Sequence, residues 1–178
     1  MADPVDPYTL ASAAAEALAA AVDVPQHDVA LVLGSGWGPA ADAIGTTDGT
    51  VTASDLPGFP PSTVAGHGGA IRSLDADGVR VLAYFGRVHG YEGNPVSAVV
   101  HNVRTAAASG CRAVILTNAA GGLREGMWPG QPVIEPGGRD LQHPAHLRGR
   151  PRTVRVRLLL SDERVHRGHT FFGCDAEK

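Results

Sequence analysis

Cysteine is nearly absent from this 178-residue chain: Cys111 and Cys174 are the two, far apart in sequence. That excludes a disulfide framework and a CxxC motif, and a reducing cytoplasmic setting is expected. No apolar run approaches the length of a bilayer span, so no membrane association is expected. The first residues carry no basic segment followed by an apolar core, so no secretory leader is expected. Aromatic residues make up only 5% of the chain. None of them interleaves the arginines at 148, 150, 152, 155 and 157, so no base-stacking platform is apparent there and nucleic acid is not expected as a partner.

What is present is a hydrophobic content of 43%, enough for one domain with a real core. Charge is unevenly spread. Residues 1–134 carry 6 basic against 12 acidic residues, whereas residues 135–178 carry 9 basic against 6 acidic. Four of the eight histidines fall in that last quarter. The composition changes character near Ile134 and divides the chain into residues 1–134 and an Arg-rich tail, 135–178.

Local patterns predict an α/β fold with a mostly parallel central sheet and flanking helices. Tyr8 to Val22 has apolar residues at helical spacing and ends before Pro25. Val29–Leu33 is a short apolar strand, and a short helix is expected from Pro39 to Ile44. Residues 45–70 read mostly as loop with one strand at Gly49–Ala53. Ala70–Leu74 and Val79–Phe85 read as strands joined by Asp75-Ala76-Asp77-Gly78. A helix is expected from Pro95 to Ser109, with Asn94 as N-cap and Gly110 as stop, followed by a buried strand at Ala113–Thr117. Strand, helix, strand from Val79 to Thr117 makes a βαβ unit with parallel strands.

Four polar or glycine-rich segments follow apolar runs. Gly34-Ser35-Gly36 can offer amides and a hydroxyl to a phosphate, or be an ordinary tight turn; Pro39 spoils a GxGxxG fingerprint. Ser62–Gly69 places His67 among glycines, as an anion contact or a solvent-exposed histidine. Gly86-Arg87-Val88-His89-Gly90-Tyr91-Glu92-Gly93 packs a guanidinium, an imidazole, a phenol and a carboxylate into six residues. Arginine's planar fork matches phosphate geometry, so this cluster reads as an oxyanion site rather than a weak Arg87–Glu92 surface pair. Thr117-Asn118-Ala119-Ala120-Gly121-Gly122 lets main-chain amides face a ligand, or is a Gly-Gly turn. Together the four converge on the carboxyl ends of parallel strands, where open α/β sheets bind ligands.

These segments, in this order and spacing, resemble the trimeric purine nucleoside phosphorylases. Leu33-Gly34-Ser35-Gly36, Ser62-Thr63-Val64-Ala65-Gly66-His67, Gly86 to Gly93 and Thr117 to Leu123 carry the resemblance, over roughly the first three quarters of the chain. It implies reversible phosphorolysis of a purine nucleoside to free base and pentose 1-phosphate. Inorganic phosphate is then the co-substrate, without metal or organic cofactor, and a homotrimer is implied. By motif position Ser35, His67, Arg87, His89 and the Ala119 amide would hold phosphate, and Tyr91 would pack on the sugar. His89, Glu92 and Asn118 would serve catalysis, Glu92 orienting phosphate or its partner groups and Asn118 supporting the turn at Ala119.

The resemblance stops after Gly130-Gln131-Pro132-Val133-Ile134, and no residue of the tail is assigned to the purine. The fold is therefore expected to be incomplete at its carboxyl-terminal side. The alternative to a working enzyme is a catalytically silent fragment that binds phosphate or joins an oligomer. Arginine takes 8 of the tail's 44 positions, a composition expected from an out-of-frame reading of a GC-rich gene near codon 135. A disordered or misfolded tail is the leading expectation. Val154, Val156 and Leu158 alternating with Arg155 and Arg157 also fit a half-exposed strand. The arginines at 148, 150, 152, 155 and 157 fit a nucleic-acid patch less well. His143, His146, His166, His169 and Cys174 match no common zinc spacing.

Overall fold

The computed structural model describes residues 5–60, 69–120, 130–135 and 152–159. Among them, seven strands form one sheet flanked by helices. Helix α1 spans Pro7–Val22. Asp6 caps it, accepting from the Thr9 N–H at 2.9 Å, and Pro7 occupies the first turn, where its missing N–H costs nothing. The helix ends on Asp23 in the left-handed conformation (φ 55°), two residues before the proline expected to stop it. Strand β1 is Val29–Leu33, α2 is Ala40–Ile44, and β2 is Thr46–Thr52. The expected strand at 49–53 thus begins three residues earlier, across a β-bulge that leaves Asp48 unpaired in the ladder.

Strands β3 (Ala70–Ala76) and β4 (Val79–Phe85) form the expected hairpin. Asp77 and Gly78 both have positive φ, the requirement of a two-residue primed turn. The single helix expected over 95–109 is two: α3, Val96–Val99, and α4, His101–Ala108. Val100 breaks them at φ −96°, ψ 3°. The β-branched run Val96, Val99, Val100 weakens helix propensity there. Asn94 is not the N-cap either; Pro95 holds that position without a side-chain cap bond. Strand β5 runs Ala113–Ala119, two residues beyond the expected end. The extension pairs with β7 (Arg152–Leu159), which also pairs antiparallel with β6 (Gln131–Glu135). Over these eight tail residues the strand reading holds in place of the disordered one; the tail histidines and Cys174 lie outside the described residues.

The sheet order is β2-β3-β4-β1-β5-β7-β6. The four central strands β4, β1, β5 and β7 are mutually parallel, and antiparallel pairs complete both edges. Strands β4 and β5 are parallel as expected, but β1 lies between them. Successive residues of the central strands face opposite sides, and each side builds a core. Leu18, Val32, Ile71, Leu82 and Val114 form one with α1 and α4; Leu31, Leu33, Leu74, Val81 and Ala83 form the other with Ala41 of α2. Leu18, Ile71, Leu74 and Leu82 are fully buried, each stabilising the fold by about 1.5–3 kcal/mol. Parallel strands buried on both faces explain why β1, β4 and β5 read as continuous apolar runs.

Candidate active site at the carboxyl ends of β4, β1 and β5

Register places three of the four sequence segments side by side. Leu33, the last residue of β1, pairs with Phe85, the last of β4, and Val32 pairs with Leu116 of β5. The chain leaves β1 through Gly34-Ser35 and β4 through Gly86-Arg87, and Asn118-Ala119 are the last residues of β5. Gly34 to Trp37 is a β-turn closed by the Trp37 N–H on the Gly34 carbonyl at 3.1 Å, with Gly36 at φ 83° where such turns favour glycine. Gly34 itself is required by space. A Cβ there would stand 2.5 Å from the Thr117 carbonyl oxygen and 2.9 Å from the Asn118 Cα. Ser35, next to it, is exposed.

Beyond β4 the backbone turns at Gly86 (φ 99°), whose N–H returns to the Leu33 carbonyl at 3.0 Å. Arg87 is half-buried, and its Nη1 donates to the Thr117 carbonyl at 3.1 Å. This guanidinium therefore lies across the end of β5 rather than reaching into solvent. Residues Gly90–Glu92 form a turn of 3-10 helix ended by Gly93 at φ 82°. The rings of His89 and Tyr91 stack with centroids 4.7 Å apart and planes at 26°. Tyr91 is 71% exposed, presenting one aromatic face outward. Asn94 Nδ2 donates to the His89 carbonyl at 3.1 Å and to Glu92 Oε2 at 3.3 Å. Asn94 is thus a brace for the cluster, a role hidden by its resemblance to a helix cap. Asn118 and Ala119 are half-buried and occupy the last two positions of β5, not a turn beyond it.

Thr117 heads the fourth segment but has no role in the motif reading. It is 4% exposed, its hydroxyl accepts from the Gly34 N–H at 3.0 Å, and it donates to the Val32 carbonyl at 3.0 Å. A threonine ending an apolar run reads as an ordinary strand former, so nothing local marks it. His67 lies outside the described residues. Ser35, Arg87, His89, Tyr91, Glu92, Asn118 and Ala119 all lie at this one end of the sheet.

The other end looks different. There Arg80 pairs with Asp48 at 2.7 Å, and His27 Nε2 meets Ser73 Oγ at 3.0 Å within the fold. Two surface concavities, one lined by Asp23–Gln26 and Arg80 and one by Asp42–Thr46 with Asp75, Asp77 and Gly78, also lie at these amino-terminal ends. Ligands of open α/β sheets bind outside the carboxyl ends, so neither concavity is taken as the site. Among the described residues no group of three or more His, Cys, Asp or Glu side chains is placed to hold a metal ion, and no helix is long and apolar enough to cross a membrane.

The similarities to known proteins concentrate on this part of the chain. Purine nucleoside phosphorylase of Mycobacterium tuberculosis is 49% identical over 135 residues, 75% of this chain and 50% of the relative. The Cellulomonas purine nucleoside phosphorylase is 49% identical over 134 residues, 72% of this chain and 48% of the relative. In three dimensions, a purine nucleoside phosphorylase in complex with ribose-1-phosphate superposes with a TM-score of 0.64 at 28% identity, covering 74% of this chain and 48% of that one. Isoform 2 of the Schistosoma mansoni enzyme, in complex with cytosine and ribose-1-phosphate, superposes at 0.63 with 30% identity, covering 72% and 46%. The chain spans about half the length of the curated relatives it matches. Residues 28–136, which include all three strand ends described above, match the phosphorylase superfamily, and the chain belongs to that family.

Proposed function

We propose that the carboxyl ends of β4, β1 and β5 are the phosphate and ribose side of a purine nucleoside phosphorylase site, and that the reaction served is phosphorolysis of a purine nucleoside to free base and pentose 1-phosphate. The observation that carries this reading is the convergence of Ser35, the Arg87–Glu92 cluster and Asn118-Ala119 on adjacent parallel strand ends. The ribose-1-phosphate in a related structure supports a sugar phosphate as the ligand class.

In this reading Ser35, His67, Arg87, His89 and the Ala119 N–H hold phosphate. Arg87 supplies a planar charged fork, and the serine hydroxyl and backbone amide supply directional donors. Tyr91, already stacked on His89, packs on the sugar. Glu92, braced by Asn94, orients phosphate or its donors, and Asn118 supports the strand end that presents Ala119. Cleavage of the glycosidic bond develops oxocarbenium character at the sugar carbon. A phosphate fixed below that carbon stabilises the positive charge and then captures it, so positioning and electrostatics carry the catalysis. Inorganic phosphate is the co-substrate, with no metal in the scheme. A homotrimer in the cytoplasm completes the proposal.

The test is hypoxanthine release from inosine, with and without phosphate, by the purified chain and by Arg87→Ala. Phosphate-dependent release that falls by about 100-fold or more in the variant supports phosphorolysis at this site. Release independent of phosphate overturns it. A second reading follows from the end of the family match at residue 136 together with the composition change near 135. In it, residues 1–134 bind phosphate without turnover, and residues 135–178 are an unrelated, out-of-frame tail. Phosphate binding without hypoxanthine release selects that reading, and re-reading the gene across codon 135 decides the origin of the tail.

A further inference from the structure

Thr117 touches all three strand ends. Its hydroxyl bridges the Val32 carbonyl of β1 and the N–H of Gly34 just beyond it, each at 3.0 Å, and its carbonyl accepts from Arg87 Nη1, beyond β4, at 3.1 Å. The backbone register between β1 and β5 runs from Val29↔Ala113 to Val32↔Leu116, which puts Thr117 opposite Leu33. In a parallel ladder the groups flanking Leu33, the Val32 carbonyl and the Gly34 N–H, are those that the backbone of the opposite residue would take. Here the Val32 carbonyl takes the threonine hydroxyl in addition to the backbone N–H that the register gives it, and at Gly34 the hydroxyl takes the N–H in place of the Thr117 carbonyl. The ladder is closed by a hydroxyl, and the Thr117 carbonyl is left to hold a guanidinium. The close approach of Gly34 to that same carbonyl keeps the junction tight.

We propose that Thr117 is a positioning residue for anion binding: its hydroxyl sets the spacing of β1 and β5 at the site, and its carbonyl fixes the guanidinium of Arg87. It touches no reacting atom and acts through Arg87 and through the Gly34-Ser35 turn. The inference rests on the assignment of Arg87 to phosphate. A valine at 117 would match the shape of threonine but leave the Gly34 N–H without its partner. A serine keeps the oxygen and loses only a methyl group.

The experiment measures inorganic phosphate affinity by calorimetry and Gly34 amide hydrogen exchange by NMR in the wild type, Thr117→Val, Thr117→Ser and Arg87→Ala. Thr117→Val is expected to weaken phosphate by about tenfold or more, as small misplacements of a binding group do, and to speed Gly34 exchange. Thr117→Ser is expected to restore both. Unchanged phosphate affinity in Thr117→Val, with Arg87→Ala defective, overturns the positioning role and leaves the phosphate site standing. Unchanged affinity in Arg87→Ala overturns the phosphate reading instead, and with it the role given to Thr117. The wild type alone supplies a reading should Thr117→Val not fold: a Gly34 amide that exchanges as freely as an exposed turn amide overturns the hydroxyl bridge.

Discussion

The two ends of the central sheet carry similar polar chemistry to opposite effect. At the amino-terminal end the charged groups pair mostly with one another. Asp28 accepts from the Arg80 N–H at 3.0 Å and pairs with Arg112 at 3.3 Å, and Arg80 reaches Asp48 at 2.7 Å and Asp75 at 3.5 Å. His27, 3% exposed, meets Ser73, which is itself fully buried and donates toward Asp48 at 3.4 Å. At the carboxyl-terminal end the backbone opens on glycines, Ser35 is exposed, and the stacked His89–Tyr91 pair has an outer face in water. A histidine, acids and an arginine are therefore no signature of a site by themselves. What separates the ends is whether the polar groups are consumed within the fold or arrayed on open, glycine-turned strand ends.

The sharpest way to break this contrast is to remove the close approach that the open end depends on. Gly34→Ala would drive a methyl group to 2.5 Å from the Thr117 carbonyl, against backbone that no rotamer change can move aside. A loss of about 3 kcal/mol or more is expected, a large part of the stability of an ordinary domain. Urea unfolding of the variant measures it, and a midpoint equal to the wild type would mean that β1 and β5 separate easily at this end. Gly86→Ala makes a useful partner. No atom of the described residues lies within 4 Å of its added Cβ, so the cost expected comes from the positive φ of 99°, about 1–2 kcal/mol.

A smaller effect is expected at the closed end, and it depends on pH. Ser73 donates toward Asp48, so it accepts from His27, which assigns the His27 proton to Nε2 and leaves a bare, buried Nδ1. Burial holds the His27 pKa below its usual value of 6.5; the Arg80 guanidinium adds to this, while the Asp48 and Asp28 carboxylates oppose it. The unfolded chain then binds the proton more readily than the folded one. The associated stability is complete above about pH 6.5 and declines as the pH falls from there toward the depressed folded value. Thermal unfolding from pH 7.5 downward should show a loss that His27→Gln reduces, since glutamine can keep the donor to Ser73 without gaining a charge. Equal slopes in the two proteins would remove His27 from the account.

Much of the open end is legible from local sequence because its parts are local. Val29–Leu33, Val79–Phe85 and Ala113–Leu116 are apolar runs, and the polar residues that follow each run must leave from a strand end. Hydrophobic periodicity says nothing of strand order, so the insertion of β1 between β4 and β5 was out of reach, as was the pairing that extends β5 to Ala119. Asn94 reads as a helix cap, which it is not, and Thr117 reads correctly as a buried strand residue but without a role, for a related reason. Each is typical of the local element, a cap before a proline or a β-branched strand residue, and their roles come from partners 2 to 85 residues away. The break at Val100 is different, since three β-branched residues within five carry a local warning against a continuous helix.

The smallest effect separates real coupling at the closed end from its appearance. Arg112 sits on Asp28 at 3.3 Å, yet its side chain is 84% exposed. Such a pair gains little in high dielectric, and ordering two side chains offsets much of that gain. Arg80 meets Asp48 at 2.7 Å with side chains 38% and 27% exposed, and Asp48 also takes the Ser73 hydroxyl. Arg112→Ala should therefore change stability by less than about 0.5 kcal/mol, and the change should vanish in high salt. Arg80→Ala should cost more, because it strips the closer partner from a carboxylate that also takes the Ser73 hydroxyl. If denaturation gave equal costs for both, the network at this end would be a surface decoration, and the contrast between the two ends of the sheet would lie in the glycines alone.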